Sequence, residues 1–140
     1  MSTTPKRSYK SVSSRKAGAI PFKFELMEDD GSGSGIFVEV LGGHSEKVTQ
    51  ETNRLVAERR SKEAIRAAAA STPADEVRPP EEDIEFGRLI AAVRLVGWSF
   101  EEPCTPEAAV EFCVENPHYA AQIITRSNKT TNFTRASSKA

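Results

Sequence analysis

Residues 84–124 read IEFGRLIAAVRLVGWSFEEPCTPEAAVEFCVENPHYAAQII and hold the single tryptophan, Trp98, with both cysteines, Cys104 and Cys113. Phe86, Leu89, Ile90, Val93 and Val96 recur at helical spacing, which predicts a helix with a wide apolar face. Glu81, Glu82 and Asp83 precede it, where the helix dipole favours acids, and Gly97 supplies a natural stop. A turn centred on Gly97-Trp98-Ser99-Phe100 is then expected. Thr105-Pro106 and Asn116-Pro117 each read as a cap followed by a proline at the first helical position, where a missing N–H costs nothing. Ala109, Phe112 and Cys113 should face inward from the first of these helices, and Ala120, Ile123 and Ile124 from the second. Together they predict a small helical lobe over 81–126, centred on Trp98, Phe112 and Ile123.

Upstream the pattern changes period. Phe22, Phe24 and Leu26 alternate with Lys23, Glu25 and Met27, and Ile36, Val38 and Val40 alternate with Phe37, Glu39 and Leu41. A period of two places three apolar residues of each strand on one face and predicts a β-hairpin. The run Glu28–Gly35 between them is long and glycine-rich, so a mobile connection is expected. A lone hairpin is marginal in water and needs a third element on its apolar face. After Gly42-Gly43, Ser45 is a good N-cap for a helix over 46–70, which is rich in Glu, Lys, Arg and Ala. At about 1.5 Å per residue it would run roughly 35–40 Å. Its apolar stripe is thin: Val48 and Leu55 share a face, and Ile65 points elsewhere. Such a helix is either solvated or completed by a partner.

These readings give an α+β chain in five parts. Residues 1–18 form a basic segment with few bulky apolar groups, expected to be disordered. Residues 19–70 form the hairpin and long helix. Residues 71–80, with three prolines, form a linker. Residues 81–126 form the helical lobe, and 127–140 a polar tail in which Phe133 stands out.

The formal net charge of −1 argues against a whole-protein grip on nucleic acid. Basic residues collect near both ends and acids between Asp75 and Glu115. No apolar run reaches the ~20 residues a membrane helix needs, and the N-terminus lacks the apolar core of a signal peptide. Two cysteines without metal-ligand spacing suggest reduced thiols. His44 and His118 form no recognisable catalytic pattern, since Pro117 separates His118 from Cys113. Gly31–Gly35 lacks the Lys-Ser/Thr ending of a phosphate loop and leads into a strand. No enzymatic function and no cofactor are expected. The candidate partner-binding residues are Phe37, Leu41, Val48, Leu55, Trp98, Phe100, Tyr119 and Phe133, on grounds of surplus apolar surface and aromatic anchors.

Three stretches share an order with a known family: Gly35-Ile-Phe-Val-Glu-Val-Leu-Gly-Gly-His-Ser-Glu leading into a polar helix, Gly97-Trp-Ser-Phe-Glu-Glu-Pro-Cys-Thr-Pro-Glu, and Asn116-Pro-His-Tyr-Ala-Ala-Gln-Ile-Ile followed by Thr131-Asn-Phe. Over roughly Phe22–Phe133 the chain resembles the tail assembly chaperones of long-tailed, siphovirus-type bacteriophages. His44 stands where that pattern has an acid, and the basic N-terminal segment lies outside it. The resemblance implies a non-enzymatic protein of the host cytoplasm that binds the tape-measure protein. It would keep that protein soluble until tail tube protein polymerises around it, and would be absent from the finished virion. Contact with the tail tube protein and self-association are further expectations, and nucleic acid is not an expected partner. Two alternatives stand beside this one. A structural tail or head-completion subunit could add its hairpin to a neighbour's sheet. A nucleic-acid-binding regulator could use the basic ends.

Overall fold

The computed structural model describes residues 6–133. A short helix α1 (Ser14–Ala17) leads into the hairpin β1 (Phe22–Met27) and β2 (Gly33–Val40). The long helix α2 (Glu46–Ala69) follows, then α3 (Pro80–Ala92), a third strand β3 (Leu95–Trp98), α4 (Pro106–Glu115) and α5 (Pro117–Asn128). This is the expected α+β class, with one strand more than the sequence pattern suggested.

The hairpin pairs Phe22 with Val40 and Phe24 with Val38. Phe24, Leu26, Val38 and Val40 are buried on its inner face, as the period of two requires. The connection is tighter than expected. Residues 33–35 belong to β2, leaving five residues for the turn. Glu28 N donates to Ser32 O at 2.7 Å, and Asp30 Oδ1 accepts from both Ser32 N at 2.9 Å and Ser32 Oγ at 2.6 Å. Gly31 sits at φ +86°, which suits a residue without a Cβ. The local hydrogen bonds organise a stretch whose composition alone reads as loose.

The expected turn at Gly97-Trp98-Ser99-Phe100 is instead the end of a strand. Helix α3 stops at Ala92 rather than running to Val96, and Leu95–Trp98 pairs antiparallel with β2, Val38 facing Trp98 and Val40 facing Leu95. The reason is nonlocal. The hairpin offers an edge of unpaired backbone groups. Leu41 N donates to Arg94 O at 2.9 Å and Ser99 N to Phe37 O at 2.9 Å, so the chain leaving α3 is captured by that edge. The outer edge of β1 has a side-chain partner: Gln122 accepts from Met27 N at 2.8 Å and donates to Met27 O at 2.9 Å, using its amide as a strand would use its backbone.

The helix starts follow the sequence with one exception. Ser45 Oγ accepts from Val48 N at 3.4 Å, and Thr105 Oγ1 from Ala108 N at 3.2 Å. Asn116 does not cap α5 through its side chain; its Nδ2 turns back to Phe112 O at 3.0 Å.

Sheet and C-terminal helices share one core, so the 71–80 segment, part of which forms a 3-10 turn at Pro73–Glu76, does not separate two cores. Ala91 and Ala92 of α3, Ala109 and Cys113 of α4, and Tyr119, Ala120 and Ile123 of α5 pack with the hairpin's inner face. Trp98 and Phe112, expected at the centre, lie partly buried at the margin. The chain after α5 also departs from expectation. Ser127 and Phe133 are fully buried, Phe133 packing edge-on against Phe22 at 5.9 Å and His44 at 5.6 Å. Ser127 Oγ donates to Leu41 O at 2.7 Å. Residues 134–140 of the expected polar tail lie outside the described residues, as do 1–5 of the expected disordered segment. Within the rest of that segment Tyr9–Ser11 forms a 3-10 turn, Ser13 Oγ caps α1 by accepting from Lys16 N at 3.2 Å, and Ala17 packs against the core. Gly18 approaches the His44 ring so closely that an added Cβ would lie 2.9 Å from Nε2. Two small residues therefore seat the end of this segment, while residues 6–12 stay exposed.

Arg94 is 7% exposed and faces no carboxylate among the ion pairs of the described residues. Its Nη1 donates to Ile90 O at 2.5 Å and its Nη2 to Asn128 Oδ1 at 3.2 Å, while Nε has no hydrogen-bond partner among the described residues. Those contacts put the guanidinium at the C-terminal ends of α3 and α5, whose dipoles favour a cation. Burial lowers its pKa from the ordinary arginine value.

Candidate partner-binding cleft

Only two side chains of α2, Val48 and Leu55, are buried, both in its first ten residues. The helix therefore leans on the body along a narrow line, and an apolar cleft of about 310 Å³ opens beside it. Leu89, Ala92 and Val93 of α3 and its end, Leu95 and Val96 of β3, and Cys104, Pro106 and Val110 at α4 form its floor and far wall. Leu55 closes it on the α2 side, where Lys47, Glu51 and Arg54 make a charged rim. A narrower extension of about 150 Å³ continues toward the start of α3, sharing Leu55 and Leu89 and adding Phe86 with Arg59 and Glu82. Arg54 is already paired along its own helix, with Glu51 at 2.9 Å and Glu58 at 2.8 Å, so two of the three rim charges are satisfied within α2.

Of the eight candidate residues, the structure brings only Leu55 to this cleft. Leu41, Val48, Tyr119 and Phe133 are buried elsewhere and cannot anchor a partner without unfolding; this corrects the expectation. The reason differs in each case. Leu41 lies where its carbonyl accepts from the buried Ser127 hydroxyl, Phe133 packs against Phe22 and His44, Val48 follows the Ser45 cap that its N–H donates to, and Tyr119 carries its hydroxyl to Glu28 Oε1 at 2.7 Å. That hydrogen bond is the main cause raising the Tyr119 pKa.

Trp98, Phe100 and Phe37 keep accessible surface but lie outside the cleft. Trp98, Phe100 and Phe112 form an edge-to-face triad with centroids 5.2–5.7 Å apart, a favoured geometry for aromatic rings. The Trp98 indole N–H donates to Glu102 O at 2.6 Å, which folds the 99–105 loop over the ring. Phe37 is 39% exposed on the outer face of the sheet, with the Lys23 ammonium 5.5 Å from its ring centre.

The cleft residues that sequence reasoning missed are chiefly Cys104 and Val110. Leu89, Val93 and Val96 carried a signal, since they belong to the predicted apolar face. That face was assigned wholly to the core, and only the position of α2 reveals that part of it stays open.

The two thiols are free. Burial pushes the Cys113 thiol up to about 12, with Cys104 adding to the shift, and burial also raises Cys104. Both are therefore held protonated at neutral pH, the opposite of an activated nucleophile. The His118 ring lies on Tyr119 at 3.9 Å between centres, and the His44 ring against Phe133. Among the described residues, no three His, Cys, Asp or Glu side chains converge as metal ligands. No described helix is long and apolar enough to cross a membrane. Comparison with protein-family models, curated proteins and solved structures finds no match to this chain.

Proposed function

We propose that this protein is a non-enzymatic tail assembly chaperone of a long-tailed bacteriophage, which binds the tape-measure protein in the host cytoplasm and keeps it soluble while the tail tube assembles. The observation that carries this reading is the apolar cleft beside α2, floored by Leu89, Val93, Val96 and Val110. An apolar groove of this form suits the nonpolar stripe of a helical partner. The order of motifs over residues 22–133 supports the same reading. The Gln122 amide, which occupies the Met27 backbone groups, counts against the alternative in which β1 adds to a neighbour's sheet.

The test is co-expression with the tape-measure protein encoded in the same genome. The expected result is a soluble complex that co-purifies, and Val93→Glu or Val110→Glu in the cleft should abolish it while the protein itself stays folded. If the tape-measure protein stays insoluble at every ratio of the two, the proposal fails.

A further inference from the structure

The inner stripe of α2 changes character along its length. Val48 and Leu55 are buried; beyond Leu55 no residue of the helix is. From Val56 on, the positions that lose solvent are Val56, Arg59, Glu63 and Arg66, at the three- and four-residue spacing of one helix face. The outer half of α2 is therefore held by charge. Arg66 Nη2 meets Glu82 Oε1 at 2.5 Å, and Arg59 pairs with Asp83. Arg78 pairs with Glu63 and, through Nε at 2.8 Å, with Asp83. The Arg59 guanidinium also lies 4.4 Å from the centre of the Phe86 ring. Every one of these contacts reaches the first two turns of α3 or the segment just before it. Beneath them lie Phe86 and Leu89, the extension of the cleft.

We propose that the outer half of α2 is a displaceable strap, occupying in the free protein the seat that a basic amphipathic helix of the partner takes in the complex. The seat specifies its occupant by charge. It presents Glu82 and Asp83 at one end, Arg78 against Asp83, and Phe86 and Leu89 beside them. Its present occupant answers with two arginines seven residues apart, Arg59 and Arg66, and with Glu63 between them for Arg78. A partner helix with cations at that spacing, an acid between them and an apolar stripe satisfies the same groups. Ion pairs whose side chains keep a quarter to a half of their surface in water are weak and screened by salt, whereas Val48 and Leu55 hold the inner half in any buffer, so the strap can lift without α2 leaving the body. This inference rests on the chaperone reading for who the partner is, but not for the existence of the strap.

The test uses the full chain and two variants, Arg59→Glu/Arg66→Glu on the strap and Glu82→Gln/Asp83→Asn on the seat. Amide hydrogen exchange over 58–69, located by peptide mass, reports opening. It should rise about tenfold in both variants, and in the parent chain between 50 mM and 1 M NaCl, while the sheet amides stay protected. A labelled synthetic peptide of residues 52–69 serves as the basic helix. It should bind the strap variant about tenfold or more tighter than the parent, because the seat is free, and bind the seat variant no better than the parent. Unchanged exchange over 58–69 in both variants, opening only together with loss of sheet protection, or equal peptide binding by the strap variant and the parent would overturn the strap. The peptide comes from this chain, so failure here leaves the co-expression result with the tape-measure protein untouched.

Discussion

The sheet with α5 and the outer half of α2 are built on opposite principles. Between the sheet and α5 the contacts are Leu26, Val38, Val40, Ile123 and Phe133, each fully buried. Between the outer half of α2 and α3 the ion pairs join Arg59 to Asp83 and Arg66 to Glu82, all four side chains still partly in water. Fully burying one such apolar side chain contributes about 1.5–3 kcal/mol, whereas a surface ion pair contributes about 0–1. One region is therefore committed to a single arrangement, and the other is stable enough to form yet weak enough to exchange. The proposed binding role calls for both: a body that persists and a surface that can be given up.

The largest test of this contrast is Phe133→Ala. Phe133 closes the core beside Phe22 and His44, and its loss should cost about 3–5 kcal/mol, read as a fall in the denaturant midpoint. A cost below about 1 kcal/mol would mean that the chain after α5 is not part of the core. Leu55→Ala should cost about 2 kcal/mol, the low end for such a change because the cleft beside it already leaves one side unpacked. Hydrogen exchange should show the loss falling on α2 more than on the sheet. An even loss across both would erase the distinction between the regions.

A third test uses pH. The Cys113 thiol ionises near 9.0 when exposed and near 12 in the fold. Between those values the unfolded chain has released a proton that the folded chain retains, so stability should fall as pH rises, by up to ~1.4 kcal/mol per pH unit from this group. Tyr119 is shifted in the same direction. In Cys113→Ala the alkaline slope should be shallower by that one proton; an identical slope in urea titrations at pH 9 to 11 would place the thiol outside the dry core. The smallest effect is expected at Ile65, which is 67% exposed on the outward side of the strap. Ile65→Glu should change stability by no more than about 0.5 kcal/mol. A larger loss would show that this face is covered in solution.

Much of the architecture was legible in residue spacing. The alternation of Phe22, Phe24 and Leu26 against Val38 and Val40, the Ser45 and Thr105 caps, and the two prolines that open α4 and α5 are local signals, and each appears where expected. The candidate site was barely legible. Five of the eight residues picked as partner anchors are buried side chains, since a single sequence cannot distinguish a large apolar group that waits for a partner from one already covered. Tyr119 is covered because β1 brings Glu28 to its hydroxyl, and Phe133 because Phe22 and His44 meet around it.

What the sequence determined by itself is what neighbours a few residues apart can settle: periodicity, caps and breaks. The tertiary structure decided the rest. Leu95–Trp98 has the apolar content to extend α3, and it is a strand because β2 had an edge to pair. Helix α2 reads as solvated, and it becomes the wall of a cleft because its arginines find the acids of α3. The physical reason is the same in both cases. Backbone edges and charges are satisfied by whatever the fold brings near, and that partner lies tens of residues away in the chain.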